Sequence, residues 1–260
     1  MKEIRVEGIE YAYDKKKILK GIDLKFKPGE LVGILGANGC GKSTLLKIMM
    51  GFFKAEKGDI YLDDKNLKNY SPLDFSRKVS FITQKSTQNI NFTVLELLRL
   101  GRVPHIKNSF KGLDREDEII VQNVIKELEL EEFVSRDISS LSGGEFQKIL
   151  LGRAFVQQGE AIFLDEPTSA LDINHSLEFL EKLVEKIKKE NLIGIIVIHD
   201  INLASLFCDR LYFIKDGKIK YSGTPRDVIN NKTLEDVYGF IPKIIEDKGE
   251  KYILPTRSGI

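Results

Sequence analysis

The sequence contains no tryptophan and two cysteines, Cys40 and Cys208. That is too few for a disulfide framework, and the pair lacks metal-ligand spacing. Neither sign of charge is in excess: 40 Lys and Arg stand against 39 Asp and Glu, a formal net charge of +1. The chain as a whole therefore offers no electrostatic reason to bind nucleic acid or an anionic membrane surface. No run approaches the roughly 18–20 apolar residues of a membrane span, and the N-terminal stretch lacks the apolar core of a signal peptide. Internal repeats and low-complexity tracts are also missing. These absences predict a cytosolic protein, with any attachment to a membrane made through a partner. What is present is a 260-residue chain, 42% hydrophobic and 30% charged, which can bury a substantial core as one large domain or two lobes.

The most informative stretch is Gly36–Thr44, reading Gly36-Ala37-Asn38-Gly39-Cys40-Gly41-Lys42-Ser43-Thr44. It fits the phosphate-loop pattern GxxxxGK[ST] at every fixed position. Glycines let the backbone adopt conformations that a Cβ forbids, so that successive N–H groups turn inward on phosphate oxygens. Lys42 supplies positive charge to the β- and γ-phosphates, and the Ser43 hydroxyl supplies a ligand for Mg²⁺. A helix opening at Lys42 points the positive end of its dipole at the same anion. The context is right for such a loop: Leu31–Leu35 is an apolar run suited to a buried parallel strand, and Ser43–Phe53 is helical with a stop near Gly51.

Elsewhere, mostly alternating apolar residues at Ile4, Val6, Ile9, Tyr11 and Tyr13, then Ile22, Leu24 and Phe26, predict antiparallel strands ahead of the core, with Pro28-Gly29 as the turn. Asp59–Leu62, Val79–Thr83, Ala161–Leu164 and Ile193–Ile198 read as strands. Val94–Gly101 and Arg115–Leu130 read as helices in a region, 86–157, that no convincing long strand interrupts. Asp172–Glu190 is an amphipathic helix with Ile173, Leu177, Leu180, Val184 and Ile187 on one face. Asp216-Gly217 between Leu211–Ile214 and Lys218–Tyr221 signals a hairpin. A helical stretch near Thr233–Tyr238 and a small hairpin within Ile244–Leu254 follow. Strands alternating with helices predict an α/β fold with a mostly parallel sheet covered on both faces. The chain divides into residues 1–85 (the first part of a core with its antiparallel β-subdomain), 86–157 (an inserted helical subdomain), 158–240 (the rest of the core) and 241–260 (a tail).

Ligands gather at the carboxyl ends of parallel strands, and three predicted strands end in suitable polar residues. Ala161–Leu164 runs into Asp165-Glu166, and an unpaired buried carboxylate is expensive enough to need a purpose. Asp165 is suited to hold Mg²⁺, directly or through water, and Glu166 to accept a proton from the attacking water or orient it. Val79–Thr83 ends at Gln84, a candidate contact for Mg²⁺ or that water. Ile193–Ile198 ends at His199, which, neutral or protonated, could hydrogen-bond a γ-phosphate; taken alone, a packed or solvated histidine explains it better. In Leu141-Ser142-Gly143-Gly144-Glu145, Ser142 and Glu145 form a capping box that opens a helix at Gly143. Two glycines in a first turn cost about 1 kcal/mol each against alanine. What they offer is bare N–H groups at a helix start, a second anion site.

These residues, in this order and spacing, resemble the ATPase subunit of an ABC transporter. The resemblance rests on Gly36–Thr44, Gln84, Leu141–Glu145, Asp165-Glu166, Ser169-Ala170-Leu171-Asp172 and His199, and it covers roughly residues 1 to 240. It implies a RecA-like core with a helical subdomain. It also implies a head-to-tail homodimer in which each ATP lies between one subunit's phosphate loop and the other's signature, Ser142–Glu145, with Ser169 and Asp172 at the subunit contact. By the same resemblance Tyr13, or failing it Tyr11, stacks on adenine. Asn231-Lys232-Thr233-Leu234 does not make the Asn-Lys-x-Asp motif that reads guanine, which favours ATP over GTP. The chain departs from the family pattern at Glu145, where Gln is usual; the exchange keeps the capping box and places a carboxylate nearer the γ-phosphate.

Thr93-Val94 through Leu100-Gly101-Arg102-Val103-Pro104-His105, with Leu171-Asp172-Ile173 and His199-Asp200-Ile201-Asn202-Leu203-Ala204, resembles the branch that energises import of iron–siderophores, haem and cobalamin. That likeness implies two membrane permease subunits, an extracytoplasmic substrate-binding protein acting indirectly, no nucleic acid, and a cytoplasmic protein peripheral on the inner face of the cell membrane. A soluble ABC ATPase, as in metal-cluster assembly, shares the catalytic motifs. A nucleotide-gated scaffold without turnover would not need Glu166 and His199.

Overall fold

A computed structural model describes residues 1–83, 91–106, 112–247 and 249–254, and the chain divides into two units, Met1–Asn69 with Ile187–Ile260, and Tyr70–Lys186. The first unit opens with a hairpin because its apolar residues alternate. Strand β1 (Ile4–Tyr13) pairs antiparallel with β2 (Lys16–Phe26), burying Ile4, Val6 and Ile9 on one and Leu19, Ile22, Leu24 and Phe26 on the other. The turn between them falls at Asp14-Lys15, with Asp14 left-handed at φ 52°. Pro28-Gly29 instead turns the chain from β2 into β3 (Leu31–Leu35).

All five residues of β3 are buried, so a continuous apolar run replaces the alternating one. The helix after it, α1 (Lys42–Met49), opens at the expected lysine and ends at Met50, short of Gly51, which turns away at φ 76°. Strand β4 (Lys57–Leu62) returns to pair with β1 and is followed by the short β5 (Lys65–Asn66), giving the order β2-β1-β4-β5.

The second unit begins with α2 (Pro72–Lys78), where Ser71 caps the helix by accepting from the Asp74 N–H at 3.1 Å and Pro72 sits in the first turn. Strand β6 (Val79–Ile82) lies parallel to the later β7 (Ala161–Asp165), in register from Val79 opposite Ala161 to Ile82 opposite Leu164. The intervening helices are α3 (Val94–Arg99), which runs into a 3-10 turn over Leu100–His105, α4 (Arg115–Glu127) and α5 (Gly143–Val156). Each of the three opens on a complete capping box: Thr93 with Glu96, Asp114 with Asp117, Ser142 with Glu145. Helix α4 stops before the expected Leu130 because Glu129 takes φ 52°. Gly101 and Gly152 let neighbours approach closely: a Cβ on Gly101 would lie 2.6 Å from the Arg153 carbonyl oxygen. In α6 (Ile173–Glu190), Phe179, Leu180, Leu183 and Ile187 are buried, whereas Ile173 is 60% exposed and does not join the predicted face.

The chain returns to the first unit with β8 (Ile193–Val197), α7 (Ile201–Phe207), β9 (Arg210–Lys215), β10 (Lys218–Gly223), α8 (Pro225–Val228), α9 (Asn231–Tyr238) and the terminal hairpin β11 (Lys243–Asp247) with β12 (Glu250–Leu254). Strand β3 sits between β8 and β9, parallel to both, and β10 adds antiparallel to β9 across Asp216-Gly217, whose φ angles of 51° and 77° suit a tight hairpin. Because β3 and β8 run in register, Ile34 opposite Val197, the loops that leave their carboxyl ends emerge at one edge of the sheet.

Candidate functional site

In the first unit the loop after β3 is Gly36–Gly41, and its conformation explains its glycines. Gly36 lies at φ 150°, and a Cβ there would sit 2.3 Å from the Ile214 carbonyl oxygen. Gly41, at φ 109°, would bring a Cβ to 2.7 Å from Leu19 Cδ2; no other residue fits either place. Gly41 is also the N-cap of α1 and brings no side chain to it, which leaves room for an anion at the helix start. Lys42 is only 5% exposed, and its ammonium donates to the carbonyls of Gly36 at 2.9 Å and Ala37 at 3.2 Å. The cation is thus desolvated and aimed into the loop.

Ala37–Cys40 line a cleft of about 340 Å³ together with Lys16, Lys17, Lys20 and Lys215. Two of these lysines are paired, Lys17 with Glu10 at 2.7 Å and Lys215 with Asp236 at 2.6 Å. Burial pushes the half-buried Cys40 thiol up, against the pull of the Lys42 ammonium, and keeps it protonated. His199 leaves the carboxyl end of β8 at the same sheet edge, exposed, and the next residue, Asp200, caps α7 by accepting from the N–H groups of Asn202 and Leu203 at 2.8 and 3.0 Å. Tyr13 is 44% exposed and stands edge-on to Tyr11, at 5.1 Å, which itself stacks on Phe53 at 5.7 Å. Tyr13 is therefore the ring with area to offer a base.

In the second unit β7 ends at Asp165, which is 3% exposed, and Glu166 follows in the left-handed region at φ 53°. Asp14, Glu129 and Asp216 take the same conformation at turns and a helix end, and here it bends the chain out of β7. The turn is closed by the Ser169 hydroxyl, which donates to the Glu166 carbonyl at 2.9 Å. Asp172 accepts from the His175 backbone N–H and pairs with His175 Nδ1, both at 2.9 Å. In the signature, Ser142 Oγ accepts from the Glu145 N–H at 3.3 Å and Glu145 Oε2 accepts from the Ser142 N–H at 2.6 Å. The other oxygen, Glu145 Oε1, takes a hydrogen bond from Arg136 at 3.2 Å. The Ser142 N–H and then the Arg136 guanidinium hold the Glu145 carboxyl below its ordinary value. The Glu145 carboxylate is therefore committed to its own helix cap and to an arginine.

Gly143 has open surroundings, whereas a Cβ on Gly144 would meet the His175 ring at 3.0 Å. Gln84 lies outside the described residues. The phosphate loop, Tyr13 and His199 belong to the first unit, and Asp165, Glu166, the signature and Ser169–Asp172 to the second. Two contacts escaped the sequence reading: His175 against the signature glycine, and a hydrogen bond from the Gly36 N–H to the Tyr238 hydroxyl at 3.1 Å. No local pattern marks the second, whose partners are 202 residues apart.

Among the described residues no cluster of three or more His, Cys, Asp or Glu side chains could hold a metal ion. Ser43 in the first unit offers a hydroxyl and Asp165 in the second a carboxylate, each a hard oxygen donor of the kind that Mg²⁺ takes.

The profile of the ABC transporter family matches residues 19–169. An uncharacterized ABC transporter ATP-binding protein of Methanocaldococcus jannaschii is 39% identical over 97% of both chains. A petrobactin import ATP-binding protein of Bacillus anthracis is 35% identical over 98% of this chain and 93% of its own. Among solved structures, an ABC transporter described as metal-chelate type, in an inward-facing conformation, superposes with a TM-score of 0.85 at 25% identity, covering 99% of each chain.

Proposed function

The chain belongs to the ABC transporter family as an ATP-binding ATPase, and on that premise we propose that it powers an importer of a metal chelate such as an iron–siderophore, haem or cobalamin. The observation that carries the nucleotide chemistry is the buried Lys42 ammonium, held by the Gly36 and Ala37 carbonyls at the carboxyl end of β3. An arriving triphosphate exchanges these weak acceptors for charged ones, so Lys42 is oriented before the ligand binds. The first-turn N–H groups of α1 complete the cradle, and Tyr13 stacks on the adenine. Ser43 and Asp165 would hold Mg²⁺, which when bound neutralises charge on the β- and γ-phosphates. Glu166 takes the proton of the attacking water, and His199 hydrogen-bonds the γ-phosphate.

The support for the transport half is the petrobactin import relative, aligned over nearly the whole chain, and the likeness to a metal-chelate type transporter. In this reading 86–157 is the helical subdomain that presents the signature, and two copies close head to tail around two ATP molecules. Hydrolysis reopens them, and the nucleotide state biases two permease subunits between facing inward and outward. A substrate-binding protein outside the membrane delivers the cargo.

Glu166→Gln tests the assignment. It removes the proton acceptor while keeping shape and hydrogen-bonding capacity, so the variant should bind ATP, turn over at least about a hundredfold more slowly, and accumulate as an ATP-bound dimer in size-exclusion chromatography. A variant that releases phosphate at the parent rate removes Glu166 from the reaction.

A further inference from the structure

The last helix before the terminal hairpin reaches back to the phosphate loop. Tyr238 closes α9, and its hydroxyl accepts a hydrogen bond from the Gly36 N–H at 3.1 Å. The Gly36 carbonyl, in the same residue, is one of the two that hold the Lys42 ammonium. The Tyr238 ring is fixed edge-to-face on Phe213 of β9, centroids 6.4 Å apart at 84°. Phe213 adjoins Ile214, whose carbonyl presses on Gly36 so closely that a Cβ would not fit. Gly36 is thus braced by β9 on one side and α9 on the other. The helix is itself anchored, since Asp236 accepts from Lys215 Nζ at 2.6 Å and from the Tyr221 hydroxyl at 3.2 Å. Leu234 and Val237 are buried beneath it.

We propose that Tyr238 is a positioning residue for the phosphate loop: its hydroxyl orients Gly36, and through Gly36 the carbonyl that aims Lys42, so that the loop is ordered before nucleotide arrives. The proposal rests on the reading of Gly36–Thr44 as an ATP site. A buried N–H left without a partner costs free energy and would drive the loop toward other conformations. Preorganisation of that kind raises affinity by removing an ordering cost at binding. Burial raises the phenol's pKa well above its ordinary value of 10.0, so Tyr238 stays neutral and can accept this bond throughout the physiological range.

The test is Tyr238→Phe in the full chain, which keeps the ring on Phe213 and removes only the hydroxyl. The three readouts are ADP affinity by calorimetry, KM and kcat for ATP, and the rate at which a thiol reagent modifies Cys40 in the nucleotide-free protein. Cys208 does not interfere because it is buried and its thiol is pushed far up. The ADP Kd and the KM should rise about three- to tenfold, the size expected for one net hydrogen bond. Cys40 modification should accelerate by a similar factor, with kcat at saturation within about twofold of the parent. Tyr221→Phe, which loosens the same helix without touching the loop, should leave all of these at parent values.

Parent-like ADP affinity and Cys40 reactivity in Tyr238→Phe would overturn the proposal. So would equal effects from Tyr221→Phe, which would trace the loss to the helix rather than the hydroxyl. A failure of the nucleotide reading shows differently: the parent itself would bind no ADP, and Lys42→Ala would change nothing.

Discussion

At the scale of single residues, buried charge shows how this chain separates structure from function. Lys42 and Arg102 are both almost wholly buried, but their partners differ. Lys42 has two backbone carbonyls and, among the described residues, no carboxylate partner, a cation ready for a stronger anion. Arg102 has a counterion and two further acceptors: Asp117 at 2.8 Å, the Val156 carbonyl at 2.9 Å and Gln158 at 3.0 Å. Arg102 thereby ties α4 to the end of α5. Asp117→Ala should therefore cost about 3 kcal/mol in denaturant unfolding, because it leaves a buried guanidinium without its counterion. Replacing both partners, Arg102→Met with Asp117→Leu, should recover most of that loss. Burial works to raise the Asp117 pKa, but the Arg102 guanidinium and the Asp114 N–H outweigh it and hold the carboxyl below its ordinary 3.8. A carboxyl with a depressed folded-state pKa stabilises fully above its unfolded value, so the pair's contribution should be complete above about that pH and vanish as the pH falls below it. Asp117→Ala with parent stability at neutral pH would show that the pair is not a net support.

At the scale of elements, the same kind of bond joins the terminal hairpin to the helix that follows His199. Asn202, in the first turn of α7, donates from Nδ2 to the Ile253 carbonyl at 3.1 Å and accepts from the Ile253 N–H at 2.6 Å, pairing with β12 as another strand would. Lys251 adds a second tie, to the carbonyls of Arg226 and Ile229 at 2.6 and 2.8 Å. Because Ile245, Tyr252 and Leu254 are partly exposed and Ile253 is the hairpin's one core residue among those described, these polar ties should contribute much of what holds it. Asn202→Ala should speed amide exchange in β11 and β12 by about tenfold, the value of one or two net hydrogen bonds. Unchanged exchange would assign the hairpin's order to its own cross-strand bonds.

Which elements were legible in the sequence follows from what stabilises each. Strand β3 is an unbroken apolar run and helix α4 carries a helical period, so both were visible, as were the capping box at Ser142 and the hairpin turn at Asp216-Gly217, where local chemistry decides the backbone. Helices α2 and α7 were not, since seven residues hold too few turns to show a period, and they are specified by caps at Ser71 and Asp200. The Asp14-Lys15 turn was missed because Asp14 takes a left-handed conformation without a glycine to announce it.

At the scale of the whole molecule, the nucleotide motifs were readable because backbone geometry and phosphate chemistry demand fixed residue types at fixed spacing. The brace on Gly36 was not, because tertiary packing alone brings Tyr238 to it from 202 positions away. The surroundings of Glu145 were half open: its capping box was legible, and only the fold shows that Arg136 also engages the carboxylate. Among the described residues no helix is long and apolar enough to cross a membrane. The importer reading requires coupling to membrane-spanning subunits, and that coupling is the central claim. It is tested by affinity purification of the tagged full chain from its native membranes in mild detergent. A polytopic membrane protein in stoichiometric amount, released or retained according to nucleotide, is the predicted result. Recovery from the soluble fraction alone, with soluble partners or none, would contradict the importer and leave an ATPase with a different task.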